Sequence, residues 1–112
     1  MEYGVILTTT SSIEEAKKVA HYLVENKFAA CANIVPKIIS IYSWKEDICE
    51  DEEFLLLIKT KKSDFDRVKQ AIIELHSYEL PEIIMLPIIE GHKDYLDWIK
   101  ESTTGIEKTN ES

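Results

Sequence analysis

Ala30-Cys31-Ala32-Asn33-Ile34-Val35-Pro36-Lys37-Ile38-Ile39-Ser40-Ile41-Tyr42-Ser43-Trp44 is rich in β-branched and aromatic residues and is interrupted once by proline. Such side chains suit the pleated surface of a sheet, while Pro36, which cannot donate a ladder hydrogen bond, marks a bulge or bend. The stretch reads as one long bent strand or two short ones. Charged Lys45 to Asp51 follow as a hairpin loop, and Glu53 to Thr60 return as an apolar strand covered on both faces. A β-hairpin therefore occupies the middle of the chain, and the elements on either side decide the fold.

Upstream, Tyr3 to Thr10 reads as a strand, because Val5, Ile6, Leu7 and the threonines lack helical spacing. Ser12 and Glu15 match a capping box that opens a helix, and Ile13, Ala16, Val19, Ala20, Leu23 and Val24 form its apolar stripe. Downstream, Ser63 to Leu75 reads as a second helix with Phe65, Val68, Ile72 and Leu75 on one side. Ile83 to Ile89 gives a fourth strand, and Lys93 to Glu101, with Tyr95, Leu96, Trp98 and Ile99, a third helix. The order β-α-β-β-α-β plus a terminal helix predicts an α+β, ferredoxin-like sandwich. Residues 1–102 make a single domain, and 103–112 read as a disordered tail.

Chain-wide properties narrow the function. A chain of 112 residues suits one domain, which at this length buries roughly two thirds of its unfolded surface. Composition, 45% hydrophobic and 30% charged, is that of a globular protein. The longest apolar run, Phe54 to Ile58, is far short of the roughly 18 residues of a membrane span, and no basic segment precedes an apolar one at the N-terminus. A cytoplasmic location without membrane association is the expectation. Cys31 and Cys49 form neither a CxxC pair nor a disulfide framework and are expected as reduced thiols. A net charge of -8 and a single arginine, Arg67, argue against nucleic acid, while cations remain suitable partners.

Two segments carry unusual side chains beside strands: Ala29-Ala30-Cys31-Ala32-Asn33-Ile34-Val35-Pro36 and His76-Ser77-Tyr78-Glu79-Leu80-Pro81-Glu82. With Ser40-Ile41-Tyr42-Ser43-Trp44, Leu55-Leu56-Leu57-Ile58-Lys59-Thr60 and Tyr95-Leu96-Asp97-Trp98-Ile99, they make the chain resemble the CutA divalent-cation tolerance family from about Val5 to Ile99. The resemblance implies a small cytoplasmic protein of ferredoxin-like fold, assembled as a homotrimer, tied to tolerance of divalent metals and to copper binding, with no catalytic activity and no organic cofactor. The family's trimer is similar to that of the PII signalling proteins, which makes an inter-subunit cleft the natural place for a ligand. Three positions depart from the family pattern. Ser77 stands where proline often follows the histidine, Lys37 where glycine often follows the proline, and Ser43 interrupts a frequent aromatic pair before Trp44.

Cys31, His76 and Glu79 are the expected metal ligands. A thiolate suits copper or zinc, and an imidazole with a carboxylate three residues on suits a divalent ion. The alternatives are that Cys31 packs as a small hydrophobe, and that His76 sits at a helix C-terminus while Glu79 pairs with Lys59. Tyr42, Trp44, Lys59, Tyr78 and Trp98 are the expected lining of a ligand cleft or a subunit interface, Trp44 favouring the interface. Glu50 to Glu53 read as a solvated hairpin tip, Cys49 as an incidental exposed thiol, and His21 and His92 as structural or surface residues.

Other functions of the superfold fit poorly. The loop Thr8-Thr9-Thr10-Ser11-Ser12 lacks the MxCxxC of copper chaperones and the arginine of a phosphate cradle, and the acidic balance opposes RNA. The leading expectation is a non-enzymatic homotrimer that binds copper or another divalent cation. The alternative is a trimeric, PII-like signalling or scaffold protein that takes a small ligand or an unidentified protein partner.

Overall fold

A computed structural model describes residues 1–104, with strands β1 (Tyr3–Thr10), β2 (Cys31–Trp44), β3 (Asp47–Lys61) and β4 (Ile84–Pro87), and helices α1 (Ile13–Glu25), α2 (Phe65–Leu75) and α3 (Lys93–Ser102). The strands form one sheet in the order β2-β3-β1-β4, and all three pairings are antiparallel. This mixed α+β architecture matches the expected order of elements. Strand alternation explains its core. Ile6, Leu56 and Ile58 face Ala16, Val19 and Leu23 of α1 and Val68, Ala71 and Ile72 of α2, all of them buried. Burying each such Ile or Leu contributes about 1.5–3 kcal/mol.

The second face of the sheet carries the alternate set, including Val5, Leu7, Leu55 and Leu57, which are only partly buried. Helix α3 packs against β3 and sets the Tyr95 phenol beside Cys31. Val35, Ile84 and Leu86 stay exposed.

Pro36 does mark a bulge. The β2/β3 register shifts between Val35 and Ile38, and Lys37 takes φ 56, the left-handed region that favours glycine. The strand continues through the bulge as one element. The expected seven-residue loop from Lys45 to Asp51 is in fact a two-residue turn, with Lys45 and Glu46 at φ 50 and 72. Positive φ at both positions is the mark of a type I′ turn, whose twist matches that of the flanking strands. Glu50 to Glu53 are accordingly strand residues and not a hairpin tip.

The pairing of β1 with β3 ends at Thr10↔Phe54, whereas β2 and β3 continue from Ile38↔Glu53 to Trp44↔Asp47. The distal hairpin is therefore a two-stranded ribbon projecting past the sheet. One side of it carries Ile39, Ile41 and Ile48 at 65%, 69% and 77% exposure.

Helix ends differ from expectation in detail. Glu15 N–H donates to Ser12 Oγ at 3.1 Å, but the Glu15 carboxylate turns to Ser77, accepting from its N–H at 2.8 Å and its hydroxyl at 3.2 Å. Only half of the capping box forms. Helix α2 starts after a 3₁₀ turn over Lys62–Asp64, not at Ser63, and the buried Asp64 bonds Arg67 at 2.5 Å. Strand β4 is shorter than Ile83 to Ile89 because it pairs only with Gly4 to Leu7, one further bond running from the Ile88 N–H to the Tyr3 carbonyl at 2.9 Å. Thr103 is buried and caps α3, its hydroxyl donating to the Ile99 carbonyl at 2.9 Å. The rest of the expected tail, 105–112, lies outside the described residues.

Candidate functional site

His76 ends α2, where extended backbone (φ -86, ψ 144) turns the chain toward the sheet. Its Nε2 lies 2.6 Å from the Thr9 carbonyl, and its Nδ1 accepts from the Tyr78 N–H at 3.1 Å. These partners fix the tautomer with the proton on Nε2. The ring also stacks at a tilt on Tyr78, with centroids 4.6 Å apart. The imidazole thus clamps the 76–82 segment to the end of β1.

That clamp helps form a cleft of about 740 Å³ between the 76–82 segment and the ribbon. Ser40, Ile41, Tyr42, Ser43 and Trp44 line one wall, Ser77, Tyr78, Glu79, Leu80 and Glu82 the other, and Thr9 and Glu53 are also in its lining. Alternation along β3 directs Glu53 and Asp51 to the same side of the ribbon as Tyr42 and Trp44. The Tyr78 hydroxyl donates to the buried Glu53 carboxylate at 2.6 Å, and the Tyr42 hydroxyl donates to Asp51. The bond to Asp51 is the main cause that pushes the Tyr42 phenol up to about 12. Burial, then the Glu53 bond, pushes Tyr78 well above the ordinary phenol range. Burial, with Glu53 nearby, also raises the Glu82 carboxyl.

The expected ligands are dispersed. Cys31 pairs with Lys59, which in turn pairs with Val5, while His76 bonds Thr9, four residues further along β1. At about 3.3 Å per residue, four residues correspond to roughly 13 Å of strand. Glu79 is exposed at the cleft wall. Among the described residues, no group of three or more His, Cys, Asp or Glu side chains converges as a metal site would. Lys59 does not bond Glu79 either; its ammonium donates to Asn33 Oδ1 and lies 4.0 Å from Cys31 Sγ.

The expected cleft residues divide the same way. Tyr42, Trp44 and Tyr78 line the cleft, whereas Lys59 and Trp98 do not. Lys59 flanks Cys31 together with Tyr95, whose phenol is raised by burial and by the thiol. Trp98 stacks on Tyr95, with ring centroids 5.4 Å apart. His21 contacts Glu25 at 3.2 Å on the surface of α1, and His92 caps α3 by accepting from the Asp94 N–H at 3.1 Å. Cys49 is half-buried rather than exposed. A second hollow of about 870 Å³, lined by Met1, Tyr3, Phe65, Met85 and Ile89 among others, contains none of the expected site residues.

Residues 4–102 match the family model described as CutA1 divalent ion tolerance protein. The chain belongs to the CutA family. A CutA relative from Thermus thermophilus, described as a divalent-cation tolerance protein, is 48% identical over 99 residues, covering 88% of this chain and 96% of the relative. A solved CutA structure from the same organism superposes with a TM-score of 0.88, covering 90% of this chain and 98% of that one. A structure described as the periplasmic divalent cation tolerance protein CutA of Archaeoglobus fulgidus is 40% identical, also at a TM-score of 0.88, covering 90% of this chain and 98% of that one. The chloroplastic CutA of Arabidopsis thaliana is 42% identical over 88% of this chain. The chain spans only 54% of that plant relative, so the two share the CutA domain and not their whole length.

The CutA pattern also accounts for two of the departures noted in the sequence. Lys37, in a position where CutA proteins often carry glycine, adopts the backbone region that glycine prefers. Ser77, where proline is frequent, uses its N–H to bond Glu15, a donation that proline cannot make. Sequence reading assigns Glu53 to a solvated hairpin tip and gives Glu82 and Thr9 no role of their own. Period-two alternation along β3 places Glu53 on the Tyr42 side, but reading 45–51 as a loop hides that register.

Proposed function

We propose that this CutA chain serves divalent-ion tolerance as a cytoplasmic, non-catalytic homotrimer that binds copper or another divalent cation at the boundaries between copies. The family assignment supports the link to divalent ions. One structural observation carries the assembly. Among the described residues, the ribbon of residues 38–44 and 47–53 has no third strand, and it exposes Ile39, Ile41 and Ile48. An isolated two-stranded ribbon is marginal in water, so a second copy is needed to cover it.

Self-assembly also supports the ligand set. Cys31, His76 and Glu79 do not meet within one copy, and a shared ion would draw them from different copies, as thiolate, imidazole and carboxylate donors suited to copper or zinc. His76 would offer Nδ1 by giving up the Tyr78 N–H, a bond worth about 0.5–1.5 kcal/mol. The test is calorimetric titration of the assembled protein with Cu(II) and Zn(II), set beside a Cys31→Ser, Glu79→Gln double variant. At least a tenfold loss of affinity is expected, and equal affinity in the two proteins would remove these residues from the site.

The cleft favours a second reading, in which a trimeric signalling protein takes a small ligand there. A volume of about 740 Å³ with aromatic walls and a few carboxylates has the size and chemistry of a small-molecule site.

A further inference from the structure

We infer that the cleft between the ribbon and the 76–82 segment binds a small organic ammonium ion, with a diamine as the fitting class. The inference rests on the small-ligand reading of the cleft and supplies its chemistry. Three features point to it.

First, the negative charge is built in and oriented. Glu53 is 7% exposed, lines the cleft and holds the Tyr78 hydroxyl at 2.6 Å. A carboxylate has about four lone-pair sites and the phenol uses one, so acceptor capacity remains for a donor in the cleft. Glu82 stands on the opposite wall.

Second, the cleft carboxylates do not gather as the donors to a bare metal ion do. A metal needs its donors gathered within about 2.0–2.6 Å of one point. No three of them converge so. Two ammonium groups separated by methylenes can satisfy Glu53 and Glu82 on the two walls, and the methylenes suit Leu80.

Third, the remaining walls recognise cations and donors. Tyr42 supplies a ring face, which attracts ammonium groups at short range, while the Trp44 ring already carries the Lys45 ammonium at 5.5 Å and Tyr78 stacks on His76. Thr9, 7% exposed, lines the cleft and makes no side-chain hydrogen bond among the described residues. Its backbone carbonyl is already taken by His76, but its hydroxyl is left to accept from a bound N–H.

The experiment is amide-resolved NMR titration of the full-length protein with 1,4-diaminobutane, with 1,4-butanediol and magnesium chloride added separately at matched ionic strength. Saturable shifts at Thr9, Glu53, Tyr78 and Glu82 with the diamine, absent with magnesium and the diol, are expected. Glu82→Gln is expected to weaken the diamine at least tenfold, and Glu53→Gln likewise if it folds. If magnesium reproduces the shifts, the site is a general cation surface. If the diol binds equally, the small-ligand reading stands and the ammonium class falls. If no probe perturbs the cleft, both fall.

Discussion

His76 joins two backbone groups that are otherwise far apart in sequence, the Thr9 carbonyl and the Tyr78 N–H. Replacing it with alanine leaves both without their partner in a partly buried setting, and each such loss costs about 1–3 kcal/mol. His76→Ala is therefore predicted to lower stability by about 2–6 kcal/mol, read as a reduced urea midpoint at fixed protein concentration. A variant with an unchanged midpoint would show that the clamp is dispensable. The two phenols make a second prediction. Both are raised in the folded protein above the ordinary value of about 10, Tyr42 to about 12, so folding stability gains from them below pH 10. That gain fades as pH rises through 10 toward 12, and a Tyr42→Phe, Tyr78→Phe variant should lose less stability than the parent over that range. Urea midpoints measured at pH 8, 10 and 11 check the slope.

At the scale of elements, the hairpin turn is the weakest match between residue type and backbone. Lys45 and Glu46 both take positive φ, where Asn and Gly are favoured. Lys45→Asn with Glu46→Gly is predicted to stabilise the protein by about 0.5–1 kcal/mol, measured as a rise in thermal midpoint with the assembly state unchanged. The same mismatch explains why the turn was illegible in the sequence. Lys-Glu carries no turn signal, so the charged run from Lys45 to Asp51 reads as a loop and Glu50 to Glu53 as its solvated tip. The strands and helices were legible because their apolar spacing is strong, as in Ile6, Leu56 and Ile58 against Val19 and Leu23. The cleft was legible only in part. Tyr42, Trp44 and Tyr78 stood out as aromatic residues beside strands, but their carboxylate partners depended on a register that the turn sets. The separation of Cys31 from His76 was not legible, because pairing partners along a sheet are tertiary facts.

On the scale of the whole molecule, a sheet with helices α1 and α2 on one face leaves the second face and the ribbon incompletely covered. Val35, Ile84 and Leu86 on that face, with Ile39, Ile41 and Ile48 on the ribbon, form apolar surface beyond what an isolated chain needs to expose. The same geometry keeps Cys31, His76 and Glu79 apart in one copy, so assembly and ion binding are coupled in this account. Native mass spectrometry of the metal-free protein, titrated with Cu(II) and Zn(II), reads copy number and bound ions together. A trimer that takes up ions in fixed number is expected, with none taken up by the dissociated single chain. A monomer, or a trimer that stays empty through low micromolar metal, would contradict that expectation.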